Sequence, residues 1–499
     1  MGGDILAGYW AIVTPQYILT IMLGVTGGIA IGALPGLTAA MGVALLLPFT
    51  YGMDEVGGIL MLISVFVGAI YGGSVTAILI RTPGTPASAA TMLDGAVFAD
   101  RGEGGRAIGI STFASCIGGS VSVIVLMTVA PQLARVALQF GPAEYFALAV
   151  FGLTIISCIS GESLIRGLVV GVLGLIVATV GLDPMTGNAR FTYENVNLLN
   201  GIQLIPVLIG VFAIPNVLAS VEQADAAFRV SQKVTKRLPP WRDLKKSLPI
   251  SFMSGIIGTT IGIIPAAGCD VGAFVSYGAA KRISRHPEKF GTGIVEGIAA
   301  PEAGNNAVTG GAMIPMLTLG VPGDATTSIM LGALMLKGLQ PGPLLFRDHG
   351  EYVGSIFFGM FLANIFMLII GLLCINIFTR IVSVRSYVLA PTILLLCMLG
   401  SYALNRNFFD VIVMLIAGMI GHILGKMKFP PSPLVLSLIL GPMAESNLRR
   451  LMLATDGSLA PLFTRPIALL LLVMALLSAL APLITKFLSQ RRPAVGEGT

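Results

Sequence analysis

Runs of about 20 mostly apolar residues, the length a helix needs to cross a bilayer, recur along this chain. They fall at about 16–36, 56–80, 107–131, 143–160, 164–182, 201–221, 352–376, 408–425 and 466–488. No other feature restricts the fold as strongly, because hydrocarbon offers no hydrogen-bond partners and admits only structures that satisfy their own backbone. Runs of this length do so as helices. Further apolar stretches at about 37–50, 249–280, 311–338, 385–402 and 431–441 are short or broken, giving about ten to fourteen membrane elements. Composition agrees: 55% of the 499 residues are hydrophobic and only 11% charged, less than half the charged share of a soluble domain. The expected fold class is an all-α polytopic membrane protein.

The net charge of +6 sits mostly in loops, so it reports orientation rather than nucleic-acid binding. Residues 222–246 carry Arg229, Lys233, Lys236, Arg237, Arg242, Lys245 and Lys246 against Glu222, Asp225 and Asp243, which makes this stretch cytoplasmic. KRISRHPEKF at 281–290 and the tail with Lys486, Arg491 and Arg492 read the same way. The N-terminus, MGGDILAGYWAIVTPQ, lacks a basic region and an A-x-A-like cleavage site, so the first helix is expected to remain in the protein. Trp10 and Trp241 flank membrane elements as interfacial anchors.

Several function classes lose support at this stage. Cys116, Cys158, Cys269, Cys374 and Cys397 show no C-x-x-C spacing and read as packing residues. His286, His349 and His422 form no H-E-x-x-H, and no G-x-x-x-x-G-K-[ST] loop is present to hold ATP. No paired catalytic residues emerge. The chain is therefore expected to be a transporter rather than an enzyme, with no cofactor or bound metal beyond a coupling ion. A purely structural scaffold leaves the polar breaks described next without a role.

Two blocks of sequence occur twice, in the same order. GGIAIGALPGLTAAMGVALLLPFT from Gly27 compares with GTTIGIIPAAGCDVGAFVSYGAA from Gly258, placing Gly32-x-x-Pro35 on Gly262-x-x-Pro265 at an offset of 230 residues. YGGSVTAILIRTPGTPAS compares with TGGAMIPMLTLGVPGDATTS, with Gly72-Gly73 on Gly310-Gly311 and Pro83-Gly84 on Pro322-Gly323, at offsets of 238 and 239. The expected organisation is a first membrane half at 1–221, a basic cytoplasmic linker at 222–246, a second half at 247–490 and a cytoplasmic tail at 491–499. The first broken element is flanked by a stretch without Lys or Arg and by Asp54 and Glu55, the second by the two basic loops. That contrast predicts inverted repeats with discontinuous helices or re-entrant hairpins, a transporter design that binds substrate where the halves meet. Gly24, Gly28 and Gly32 lie on one helical face and suit close packing.

Four segments are too irregular for plain spans: 32–38, 81–91, 262–270 and 300–328. Irregular backbone at membrane depth survives only inside protein or beside a water-filled cavity. Proline and glycine stop one helix and let the next begin with unpaired N–H groups, which attract anions. The expected substrate-binding residues are Pro35, Gly36 and Thr38, then Thr82, Pro83, Gly84, Thr85 and Ser88, from the first half. The second half supplies Asn305, Asn306, Pro322, Gly323, Thr326 and Thr327. Asp270, Glu302 and Asp324 are coupling-ion candidates, because a carboxylate at membrane depth is costly unless paired, hydrated or functional. Asp324 in PGDATT is equally suited to cap a helix. Arg81 either steers an anion or marks an aqueous interface.

The stretches GALPGLTAAMGVALLLPFTYGM, YGGSVTAILIRTPGTPASAATMLDG and GIAAPEAGNNAVTGGAMIPMLTLGVPGDATTSIMLGALMLKGLQPGPLLF resemble the TctA family, the large membrane subunit of tripartite tricarboxylate transporters. The likeness extends from about 15 to 480 along the chain. It implies a permease of the bacterial inner membrane that works with a small TctB-like membrane subunit and a periplasmic TctC-like solute-binding protein. It further implies import of a di- or tricarboxylate driven by a Na+ or H+ gradient, and, by similarity to other ion-coupled carboxylate transporters, elevator-type movement. The alternative is a stand-alone ion-coupled carboxylate symporter that needs no binding protein.

Overall fold

The computed structural model describes residues 2–34, 37–154, 164–183, 185–222, 239–264, 267–374 and 386–490. Its helices begin with α1 (Gly2–Ala11), α2 (Pro15–Gly32), α3 (Ala39–Thr50), α4 (Glu55–Ile80), a 3-10 turn (Pro86–Ser88), α5 (Ala89–Asp100) and α6 (Gly104–Ala137). After α7 (Pro142–Thr154) and α8 (Leu164–Ala178) come the paired strands β1 (Gly181–Leu182) and β2 (Ala189–Arg190), then α9 (Leu204–Glu222). The chain continues through α10 (Trp241–Ile263), α11 (Gly268–Ile283), α12 (Val295–Leu319), α13 (Ala325–Leu336), α14 (Pro343–Asp348) and α15 (Gly350–Leu373). It ends with α16 (Ser386–Asn405), α17 (Phe408–Lys426), α18 (Ser432–Ala454), α19 (Pro461–Thr464) and α20 (Pro466–Gln490).

Five of the described helices, α2, α4, α6, α15 and α17, are long and apolar enough to cross a membrane, and six shorter helices are also apolar. The protein is an all-α, multi-pass membrane protein. Local chemistry sets where its helices start: Thr14, Thr38 and Asp54 each accept a hydrogen bond from a first-turn N–H, of Tyr17, Met41 and Gly57. Most of the expected linker, 223–238, lies outside the described residues. Its C-terminal end is already helical, because α10 starts at Trp241 behind Pro240.

The chain divides into two compact units, residues 1–138 with 205–422 and residues 139–204 with 423–499. Each is made of two separate stretches of sequence, so compactness follows a different division from the repeat. At the centre of the larger unit is α12, where every residue from Gly297 to Thr318 is buried. It packs against α6, α10 and α11, while α2 packs along α4. Glycine makes both pairings possible. A Cβ on Gly28 would lie 2.4 Å from the Val65 carbonyl oxygen, and one on Gly258 2.1 Å from that of Gly304. Likewise Gly72 abuts the Ile29 carbonyl and Gly311 that of Thr259. These contacts recur, α2 meeting α4 as α10 meets α12, and they equate Gly72 with Gly311, one residue on from the Gly310 that the sequence comparison matched to it.

In the smaller unit, α18 packs on α7 and α8, and α20 packs on α7. Buried Glu144 accepts from the Gly141 N–H at 2.7 Å and pairs with Arg465 at 3.1 Å. The short hairpin is fastened to α18 by charge: Arg449 reaches Asp183 at 2.7 Å and Glu445 at 2.9 Å, and Arg190 reaches Glu445 at 2.7 Å. The hydrogen bond from Arg449, helped by the N–H groups of Met185 and Thr186, holds the Asp183 carboxyl well below the usual carboxylate range. A lowered folded-state value means stabilisation that is complete above the unfolded value of about 3.9 and is lost as pH falls towards the folded one. We therefore expect the melting temperature of the purified protein to fall on acidification from about pH 6 to pH 3, and Arg449→Met to flatten part of that dependence. Thermal melts of the two proteins across this range are the check.

Candidate functional site

The two halves build their breaks alike. α4 ends at Arg81, in the left-handed region at φ 53°, and α12 ends at Gly320, at φ 70°. Beyond the first stop, the Ser88 hydroxyl donates to the Thr85 carbonyl at 2.7 Å and accepts from the Thr85 N–H at 3.4 Å. Beyond the second, the Thr327 hydroxyl stands in the same relation to Asp324, accepting from its N–H at 2.8 Å and donating to its carbonyl at 3.0 Å. Gly84 lies against the Cα of Gly73, and Gly323 against that of Ala312. No side chain fits at either glycine: a Cβ on Gly84 would also come within 2.2 Å of the Gly32 carbonyl oxygen. The tip at 83–84 thereby sits on the end of α2, where the other first-half break begins.

One expected break is shorter than its sequence suggests. Residues 300–319 of the expected break at 300–328 belong to the continuous helix α12, despite Pro301 and Pro315, and the chain leaves helical geometry only at 320–324. Glu302, Asn305 and Asn306 are therefore helical residues. Burial explains the difference: neighbouring helices replace lipid on all sides of α12, and its small residues let them approach closely. Pro35 and Gly36, within the expected 32–38 break, and Pro265 lie outside the described residues.

Among the other expected site residues, Thr38 caps α3 and Thr82 donates weakly to the Ile80 carbonyl at 3.3 Å. Pro83 is half-buried, whereas Gly84, Thr85, Ser88, Pro322, Gly323, Thr326 and Thr327 are buried. The turn carrying Thr85 and Ser88 packs on α11 and α12, and α13, which follows Asp324, packs on α3 and α4. Each half thus presents its second break to the other half's helices. Asp324 caps α13, its Oδ1 accepting from the Thr327 N–H at 2.7 Å. Asp270, in the first turn of α11, is exposed and within electrostatic reach of Asp324.

Glu302 has the densest polar surroundings. Its carboxylate, fully buried, accepts hydrogen bonds from Ser74 at 2.5 Å, Ser111 at 2.9 Å, Ser115 at 3.0 Å and also from Thr91. Asn305 approaches it at 3.5 Å, and Asn306 donates to the Glu302 carbonyl at 3.1 Å and to Asn305 Oδ1 at 2.7 Å. Burying a lone carboxylate costs on the order of several kcal/mol, which four hydroxyl donors worth about 1.5–3 kcal/mol apiece can offset. Ser74, Thr91, Ser111 and Ser115 were not among the expected site residues. They lie in ordinary apolar helices, where an isolated hydroxyl normally serves its own backbone. Two acceptors near the breaks have no hydrogen-bond partner among the described residues: Thr85 Oγ1 and Asn306 Oδ1, both buried.

A second buried acid, Asp94, had no expected role either. From α5 it accepts from the Tyr277 hydroxyl at 2.9 Å and from the N–H groups of Gly291, Gly293 and Ile294 at 2.8–3.1 Å. This latches a first-half helix to the loop that leads into α12. Gly297 is required beside it, since a Cβ there would meet Asp94 Oδ2 at 2.0 Å.

Residues 18–436 match the family described as Tripartite tricarboxylate transporter TctA family. An uncharacterized 52.8 kDa protein of the TAR-I ttuC' 3' region of Agrobacterium vitis is 35% identical over 485 residues, which cover 97% of this chain and 96% of that protein. An uncharacterized protein of the TAR-II ttuC' 3' region of the same organism is 33% identical over 234 residues, covering 47% of this chain and 97% of that protein. No solved structure matches the chain.

Removing the Asp94 carboxylate strips three main-chain donors of their acceptor. Asp94→Ala is expected to cost about 1–3 kcal/mol and to loosen the 284–294 loop. Faster trypsin cleavage at Arg285 and Lys289, with a lowered melting temperature, is the expected result.

Proposed function

Because the chain belongs to the tripartite tricarboxylate transporter TctA family, we propose that it is the large permease subunit of a binding-protein-dependent secondary transporter. In this reading it sits in the bacterial inner membrane, joins a small TctB-like membrane subunit, and receives a di- or tricarboxylate from a periplasmic TctC-like protein. Import is driven by a Na+ or H+ gradient. The repeated glycine contacts and paired breaks support two related halves, inverted by their flanking charge, with substrate held where their breaks approach each other's helices.

The observation that carries the reading is the unpartnered, buried hydroxyl of Thr85 in the first-half break. At the matching place the second half has Asp324, whose carboxylate already occupies the start of α13. An anionic substrate is repelled by that carboxylate and is welcome at the neutral turn, where the Thr85 hydroxyl can donate to it. Asn305 and Asn306 lie on the helix against which this turn packs. Pro83 and Gly84 set the position of the turn, and Ser88 holds its shape.

Uptake of labelled carboxylate into vesicles holding the permease, its small subunit and the binding protein tests the proposal, with Na+ and pH gradients imposed separately. Correctly inserted Thr85→Ala, Asn305→Ala and Asn306→Ala variants are expected to lose about tenfold or more in uptake, the equivalent of one hydrogen bond to a charged group. Parental rates in all three would make the site wrong. Uptake by the permease alone would favour the stand-alone symporter.

A further inference from the structure

We propose that Glu302, Ser74, Thr91, Ser111 and Ser115 form a site for one monovalent cation of the sodium type, apart from the turn that receives the carboxylate. The proposal deepens the transport reading above by assigning its coupling ion a binding site, and rests on that reading only for the site's use in transport. Four helices meet here: Ser74 comes from α4, Thr91 from α5, Ser111 and Ser115 from α6, and Glu302 from α12. All five side chains are fully buried.

The donor set is selective in kind. Two carboxylate and four hydroxyl oxygens gather here, with the Asn305 amide nitrogen 3.5 Å from Oε1 and no sulfur or imidazole in the hydrogen-bonded shell, a set dominated by the oxygen ligands that suit a hard cation. Charge sets the valence: a single carboxylate neutralises one positive charge, whereas a divalent ion would leave an uncompensated charge inside the protein. The four hydroxyls lie within hydrogen-bond reach of the carboxyl in the structure. Hydroxyls are both donors and acceptors, and each can turn to donate to the carbonyl one helical turn behind it and offer a lone pair to an ion. A second polar atom lies one turn along α12: buried Asn306 Oδ1 is without a partner among the described residues.

The ligands belong to both halves. Ser74, Thr91, Ser111 and Ser115 come from the first and Glu302 from the second, so an ion here ties α12 to the helices flanking the Thr85 turn. Ion occupancy then favours the arrangement in which the carboxylate site is assembled, which is the form that coupling between two ligands takes.

Radiolabelled sodium binding and thermal melts of the full-length protein in detergent test this without any transport step. Wild-type protein is expected to bind one sodium per chain and to melt at higher temperature as NaCl replaces choline chloride, with saturation. Glu302→Gln should abolish both effects, and Ser111→Ala with Ser115→Ala should weaken binding about tenfold or more while leaving a folded protein. Saturable sodium binding that is unchanged in the folded double variant overturns the proposal, as does a wild-type protein stabilised by acid but indifferent to sodium. Sodium binding with no carboxylate uptake would keep this site and instead count against the transport reading.

Discussion

The larger unit is organised around a helix that could not stand in lipid by itself. α12 carries a carboxylate, two amides and two hydroxyls along a stretch where every residue from Gly297 to Thr318 is buried. Hydrocarbon would leave those groups unsatisfied, so other helices must enclose α12 and supply partners. The hydroxyls of α4, α5 and α6 meet Glu302, while the glycines of α10 bring backbone against backbone. Polarity at the centre and small residues around it are two parts of one solution.

The same constraint shapes the breaks. A turn with freed N–H and carbonyl groups can lie at membrane depth only if protein encloses it, and both second breaks are packed among helices. The turn at Thr85 packs on α11 and α12, and the helix after Asp324 packs on α3 and α4. Glycine sets the distance of approach: Gly84 and Gly323 sit so close to neighbouring backbone that any side chain would force the turns outward. The arrangement is nearly symmetrical in shape but not in charge, because a neutral Thr85 stands where the second half has Asp324.

Much of this was legible in the sequence. Apolar run length marked α2, α4, α6, α15 and α17, and the repeated P-G pairs, Pro83-Gly84 and Pro322-Gly323, lie where the chain leaves helical geometry, within the expected breaks at 81–91 and 300–328. The extent of α12 was not legible, because proline, glycine and asparagine are helix breakers in water but pack tightly in a buried helix. The hydroxyls around Glu302 were equally hidden. A single serine in an apolar helix carries no periodic signal, and Ser74, Thr91, Ser111 and Ser115 lie 187–228 residues from Glu302 along the chain.

By itself, the sequence determined that the chain is helical and membrane-spanning, that its polar breaks come in pairs, and that its family is one of transporters. Those properties follow from run length, residue type and local order, which act over neighbouring residues. Only the tertiary structure decided that Glu302 is surrounded by four hydroxyls, that Asp94 latches a distant loop, and that Thr85 Oγ1 has no hydrogen-bond partner among the described residues. Each of these depends on which helices pass within hydrogen-bond reach, and that reach is fixed by glycine contacts between segments far apart in the chain.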